Sequence, residues 1–570
     1  MRPAAPSERR SRPRLGAFLL AALACLWLFA MRLPAEPRPP HAAIASAHPL
    51  ATEAGFAVLQ AGGNAFDAAV AVTAALAVVE PYSSGIGGGG FWLLHRASDR
   101  CEVMIDGRER APLEAQAELY LDSDGEVIPG LSMNGPLAAG IPGEPAALVH
   151  IAEAYGRLPL ERVLQPAIDL AREGFEVDAH YQRMARFRLP VLKGYPTAAD
   201  IFLEHDEVPA LAYRIQQPDL ADTLASLAEH GREGFYGGPV ARRLVEGVRK
   251  AGGIWSLEDL VSYRIVERDP VRGAYRGIAI TSASPPSSGG IALLTMLNLL
   301  AGYPLAEFDP ATRIHLMVEA MRRAYRDRAA YLGDPDFIDI PAVRLLHPRY
   351  ADGLRAAIRQ DRATPSELLP GASDMPGGPH TTHFSILDTE GNRVAATLSI
   401  NYPFGSGFVV PGTGVLLNDE MDDFSAKPGV PNAYGLIGAT ANAIAPGKRP
   451  LSSMTPTFLD DGTRVAILGT PGGSRIITMV LAGTLDFAAG DGPQSWVSKP
   501  RVHHQYLPDE IQFEEGALPG DVMKALQQRG HTLRALERPY GNMQAILWNR
   551  DTGEVTAASD PRGAGGAGVR

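Results

Sequence analysis

Thr381 heads a run of strand-forming residues, directly behind a stretch that contains Pro365, Pro370, Gly371, Pro376, Gly377, Gly378 and Pro379. That loop composition resists both helix and sheet and marks a surface segment. A hydroxyl is a weak nucleophile at neutral pH unless a base lies beside it. Cutting the peptide bond between His380 and Thr381 supplies that base as the new α-amino group, whose pKa of roughly 8 leaves a usable neutral fraction. The same hydroxyl can first attack the carbonyl of His380 and so release itself. Many threonines follow Pro-Gly loops, however, and spacing alone does not single this one out.

Other motifs carry less. Ser83-Ser84-Gly85-Ile86-Gly87-Gly88-Gly89-Gly90-Phe91 suits positive φ or close backbone approach. No Lys-Ser/Thr follows it, so it is not a P-loop. His503-His504 is an adjacent pair without a helical i, i+4 partner, which reads as packing and hydrogen bonding. No CxxC, HExxH or EF-hand pattern occurs, and neither a cofactor nor a metal is implied. The two cysteines, Cys25 and Cys101, provide no disulfide framework. The net charge of -11 argues against nucleic acid as a partner.

These residues need elements to hold them. Residues 51–79, rich in Ala and Val and broken by Gly62-Gly63, predict two buried helices. Residues 145–265 read as mostly helical. Pro285-Pro286-Ser287-Ser288-Gly289-Gly290 is a loop leading into an apolar helix over 291–300, and a further helix covers 311–331. Behind the loop that ends at His380 the pattern changes to strands over 382–387 and 393–400, joined by a turn at Thr389-Glu390-Gly391-Asn392. In the second strand Val394, Ala396, Leu398 and Ile400 share one face. Ala395, Thr397, Ser399 and Asn401 share the other. The length of 570 residues allows three or four domains or one large layered domain, and there is no internal repeat.

At the N-terminus five arginines precede an apolar run over residues 15–31, followed by Arg32 and a Pro-rich stretch. This reads as an export signal within residues 1–34, with an uncleaved membrane anchor through residues 15–31 as the alternative. The expected location is periplasmic or extracellular.

A chain-wide set of motifs resolves the ambiguity at Thr381. Upstream are His48-Pro49-Leu50-Ala51-Thr52, Gly62-Gly63-Asn64-Ala65, Asp67-Ala68-Ala69, Glu80-Pro81 with the glycine run, and Asp106-Gly107-Arg108-Glu109. Downstream are His380 to Ser385, Gly391-Asn392, Ser399-Ile400-Asn401, Asn418 to Ser425, Lys448 to Met454, and Gly472-Gly473-Ser474-Arg475. In this order they resemble the γ-glutamyltransferase family from about residue 41 to the C-terminus.

The resemblance implies an α+β fold, the four-layer αββα sandwich of the N-terminal-nucleophile (Ntn) hydrolases. It implies a precursor that cleaves itself into a large subunit (35–380) and a small subunit (381–570), which form one intertwined domain and a heterodimer. The implied donors are glutathione and other γ-glutamyl compounds, and the implied acceptors are water and the amines of amino acids or dipeptides. Thr381 is the implied nucleophile. Ser399, where many relatives have Thr, is the hydroxyl that bonds it, and Gly472 and Gly473 are the oxyanion hole. Arg108, Ser452 and Ser453 are implied to hold the donor α-carboxylate, and Asn401, Glu420 and Asp423 its ammonium, with Asp422 pointing elsewhere. Residues 427–448 resemble a lid, with Tyr434 as its gate. Two rivals remain: a related acylase of the glutaryl-cephalosporin type, and an uncleaved, inactive binding protein.

Overall fold

The computed structural model describes residues 37–369, 381–427 and 440–570. The apolar N-terminal run, His380 and Tyr434 lie outside these residues. Strands and helices that matter for the site are numbered in chain order. One antiparallel sheet contains β1 (Ala43–Ser46), β2 (Gly89–Arg96), β3 (Cys101–Gly107), β4 (Val266–Arg268), β7 (Thr382–Leu387), β8 (Arg393–Ser399) and β13 (Gly566–Val569). Their spatial order is β13-β1-β7-β8-β2-β3-β4. A second antiparallel sheet contains β5 (Val271–Tyr275), β6 (Ile278–Ser282), β9 (Thr457–Asp460), β10 (Arg464–Gly469), β11 (Gln544–Asn549) and β12 (Val555–Ser559). It runs in the order β12-β11-β10-β9-β6-β5.

Three apolar clusters define four layers. Between the sheets, Phe91, Leu93, Met104 and Ala395 of the first meet Phe458, Ile467, Ile546 and Trp548 of the second. The other face of the first sheet, with Trp92, Phe384, Ile386, Val394, Ala396 and Leu398, packs on helices α1 (Pro49–Gln60) and α2 (Ala65–Val79). The outer face of the second sheet packs on α3 (Gly289–Leu300), α4 (Pro310–Tyr331) and α5 (Ile476–Ala489). Side-chain alternation along a strand sends each residue to one of these interfaces. It explains why β8 divides into the two faces predicted for it. The result is the αββα sandwich of the Ntn hydrolases, and residues 39–570 form one compact unit.

Helix α2 is buried along its whole length, which its Ala- and Val-rich sequence permits without polar cost. A capping box fixes its start: Asn64 accepts from the Asp67 backbone and Asp67 from that of Asn64. Its C-cap, Glu80, accepts a hydrogen bond from the Thr382 hydroxyl at 2.6 Å. The end of the most buried helix thereby fixes the head of β7. Among the described residues no helix is long and apolar enough to cross a membrane.

Candidate active site

Thr381 stands one residue before β7, between the sheets, and is only 7% exposed. It lines a cleft together with Ser399, Asn401, Arg108, Glu420, Asp423, Ser452, Ser453 and Gly473. Residues as far apart in sequence as Arg108 and Gly473 thus meet in one concavity. Nine of the residues singled out from the sequence line it.

Strand β8 delivers Ser399 at its last position. The glycine run makes this possible by close approach. A Cβ on Gly88 would stand 2.2 Å from the Ser399 carbonyl oxygen, and one on Gly90 would stand 2.5 Å from that of Thr397. The run is therefore a packing surface beneath the site.

Asn401 reaches the cleft differently from expectation. The strand ends at Ser399, and Asn401 has a left-handed φ of 71°. Strand alternation does not bring the two side chains together. A turn does, in which the Asn401 N–H donates to the Ser399 hydroxyl at 2.7 Å. The Asn401 side-chain amide donates to the Asp419 carbonyl at 2.9 Å, and this ties the turn to the next segment. Asn418 holds that segment in place by donating to the carbonyls of Gly87 (2.7 Å) and Gly140 (2.8 Å). From there a 3₁₀ turn, Glu420–Asp423, aims Glu420 and Asp423 at the cleft. Asp422 points away and accepts from the Ser132 hydroxyl at 2.6 Å, as expected.

Arg108 follows β3 and is fully buried. Its guanidinium pairs with Glu420 at 2.8 Å and with Asp423, and Glu109 lies 3.6 Å away. Burial opposes its charge, but the carboxylates of Glu420, Asp423 and Glu109 outweigh that and keep it cationic. The carboxyls respond in turn. Burial pushes Glu109 up to about 8 against the pull of Arg108, and it pushes Glu420 up as well. The residues expected to hold opposite ends of a zwitterion thus pair with one another.

Ser452 and Ser453 lie on a segment bonded to the loop before α3, through Ser288 N–H to the Ser452 carbonyl (2.9 Å) and Ser452 N–H to that of Pro286 (2.9 Å). Gly472 and Gly473 have φ of 146° and 55°, angles that side chains other than glycine's rarely adopt. They turn the chain into a 3₁₀ segment and then α5. Of the two, Gly473 lines the cleft. Backbone N–H groups at such a turn can donate to an oxyanion. His503 contacts Thr478 and Gln505, and His504 contacts Asp509.

The cleft also holds a residue that sequence reasoning missed, Arg328 on α4. Arg322, Arg323, Arg326 and Arg328 crowd one helix segment. Such a run normally reads as a solvated face. The signal that could have exposed it is the density of arginines in a helix whose apolar residues demand burial.

This arrangement suits attack by a hydroxyl on an acyl group that carries both charges. The Gamma-glutamyltranspeptidase family model matches residues 51–569. The chain belongs to this family. It is 42% identical over 527 residues to the glutathione hydrolase proenzyme of Escherichia coli (strain K12), covering 91% of this chain and 90% of that protein. It is 44% identical over 514 residues to the glutathione hydrolase proenzyme of a Pseudomonas species (strain A14), covering 88% of each. Among solved structures, the cephalosporin acylase of Bacillus halodurans aligns with a TM-score of 0.81 at 30% identity, covering 94% of this chain and 96% of that one. The γ-glutamyltranspeptidase family therefore shares its architecture with an acylase, and the chemistry has to be argued from the cleft.

Proposed function

We propose that the chain is a self-cleaving γ-glutamyltransferase and glutathione hydrolase with Thr381 as its nucleophile. In the precursor the Thr381 hydroxyl attacks the carbonyl carbon of His380, and the peptide nitrogen leaves as the α-amine of Thr381. Water then hydrolyses the resulting ester and leaves a carboxylate on His380. In turnover the α-amine takes the hydroxyl proton as the oxygen adds to the donor's γ-carbonyl. It then hands the proton to the departing amine. Water or the amine of an amino acid or dipeptide resolves the acyl-enzyme by the same proton route. Ser399 orients the Thr381 hydroxyl, and the N–H groups of Gly472 and Gly473 meet the oxyanion. One such donor contributes about 3–4 kcal/mol in a transition state.

The observation that carries this reading is the charge set opposite Thr381. Arg108 pairs with Glu420 and Asp423. A γ-glutamyl donor has a carboxylate and an ammonium on one carbon, so it can insert between these partners without leaving any charge alone. Its carboxylate takes the guanidinium, assisted by Ser452 and Ser453. Its ammonium takes Glu420, Asp423 and the Asn401 side chain. A glutaryl donor brings the carboxylate alone and offers Glu420 and Asp423 no ammonium to bind, which disfavours the acylase reading. The test is hydrolysis of L-γ-glutamyl and glutaryl anilides by the purified protein. At least about tenfold higher kcat/KM on the γ-glutamyl compound is expected, and a preference for glutaryl refutes the assignment.

The two fragments, 35–380 and 381–570, stay together as a heterodimer. The basic and apolar N-terminal segment directs export, to the periplasm or beyond.

A further inference from the structure

Arg328 is buried, at 4% exposure, yet faces the cleft that holds Thr381. Its Nε donates to the Ser288 hydroxyl at 3.0 Å and its Nη2 to the Ser453 hydroxyl at 3.2 Å. Both partners are neutral. Among the described residues no carboxylate lies within ion-pair distance of it. Asp423, the carboxylate whose charge acts on it, is bonded to Arg108. Burial lowers its pKa to about 10, which leaves it cationic at neutral pH. A buried cation held only by hydroxyls is costly unless an anion arrives to compensate it. Arg108 stands in the opposite condition, with three carboxyls around it.

We propose that Arg328 is a second cationic determinant of donor binding, which meets the donor's carboxylate together with Ser453. This rests on the reading of the cleft as a donor site for acyl groups that end in a carboxylate. Arg328 comes from α4 over the second sheet and Arg108 from the end of β3 in the first, and both line the cleft with Ser452 and Ser453, so the carboxylate can meet both guanidinium groups. Ser288 fixes the guanidinium plane from behind. The division of labour follows from the charges. Arg108 must exchange a carboxylate partner to take the donor, whereas Arg328 gains one. Arg328 therefore supplies net attraction, and Arg108 supplies the geometry that couples carboxylate to ammonium.

The test compares Arg328→Met and Arg328→Lys with the unaltered enzyme on three anilides: L-γ-glutamyl, glutaryl, and 4-aminobutanoyl, which has the same chain end without the carboxylate. Two fragments on a denaturing gel verify folding and self-cleavage for each variant. Arg328→Met is expected to raise KM on the carboxylate-bearing donors by about tenfold or more, with kcat within about threefold, and to leave kcat/KM on the 4-aminobutanoyl anilide within about threefold. Arg328→Lys restores part of the loss, because the charge remains without the fork. If Arg328→Met does not fold, Arg328→Lys carries the comparison, with a severalfold rise in KM on the carboxylate-bearing donors alone. An equal loss on all three anilides, or no loss on any, overturns the proposal. The γ-glutamyl assignment fails separately, when the unaltered enzyme prefers the glutaryl anilide, and Arg328 is then still read from glutaryl against 4-aminobutanoyl.

Discussion

Three carboxyls, Glu109, Glu420 and Asp423, surround one guanidinium at Arg108. Burial raises Glu109 to about 8 and raises Glu420 too, so on the proposed function the donor ammonium displaces a proton from this cluster. Groups with raised pKa values are protonated below them and bind a cation only once deprotonated. KM for a γ-glutamyl donor is therefore expected to fall as pH rises from about 6 towards about 8, by at most about tenfold per unit, until the donor's own amine deprotonates. A KM that is flat or rises across that range contradicts the arrangement. Replacing Arg108 removes the ion-pair partner of Glu420 and Asp423 without changing Thr381. Arg108→Met is expected to cleave itself normally and to lose about a hundredfold or more in kcat/KM on γ-glutamyl anilide. An unchanged KM would show that the guanidinium does not face the donor.

At the scale of elements, the site depends on where β7 and β8 end. Gly88 gives β8 its close support, whereas a Cβ on Gly85 would meet only ordinary contacts at 3.6 Å or more. Gly88→Ala is expected to cost about 2 kcal/mol or more in stability and to slow self-cleavage by displacing Ser399, while Gly85→Ala is tolerated. Thermal melts and a time course on denaturing gels check both, and equal behaviour of the two variants contradicts the packing role. Much of this level was legible beforehand. Loop composition followed by alternating apolar residues located β7 and β8, and the small-residue run located α1 and α2. Two features were not legible. The left-handed turn at Asn401 depends on a hydrogen bond to Ser399 that no periodicity encodes. Burial of Arg328 depends on partners from a loop 40 residues earlier and a strand-edge segment 125 residues later. Tertiary context decides such residues, and local pattern is silent about them.

In the whole molecule, the segments on either side of residues 380 and 381 interleave. Strand β1 pairs with β13 on one edge and β7 on the other, and β8 pairs with β2. In the second sheet β9 pairs with β6. Separating the fragments requires breaking both sheets and the apolar layer between them. The cleaved protein is therefore expected to elute as one species in native size-exclusion chromatography and to dissociate only on unfolding. Separate elution of the fragments contradicts this. The central claim, that Thr381 becomes the N-terminus and then carries the acyl group, is tested most directly by one mass spectrum. The enzyme is mixed briefly with γ-glutamyl anilide and quenched in acid, and its small fragment is weighed and sequenced from the N-terminus. The account predicts a fragment spanning residues 381–570, heavier by one γ-glutamyl group located on Thr381, and an uncut, unmodified chain for Thr381→Ala. An intact chain, a fragment that starts elsewhere, or a label on another residue contradicts it.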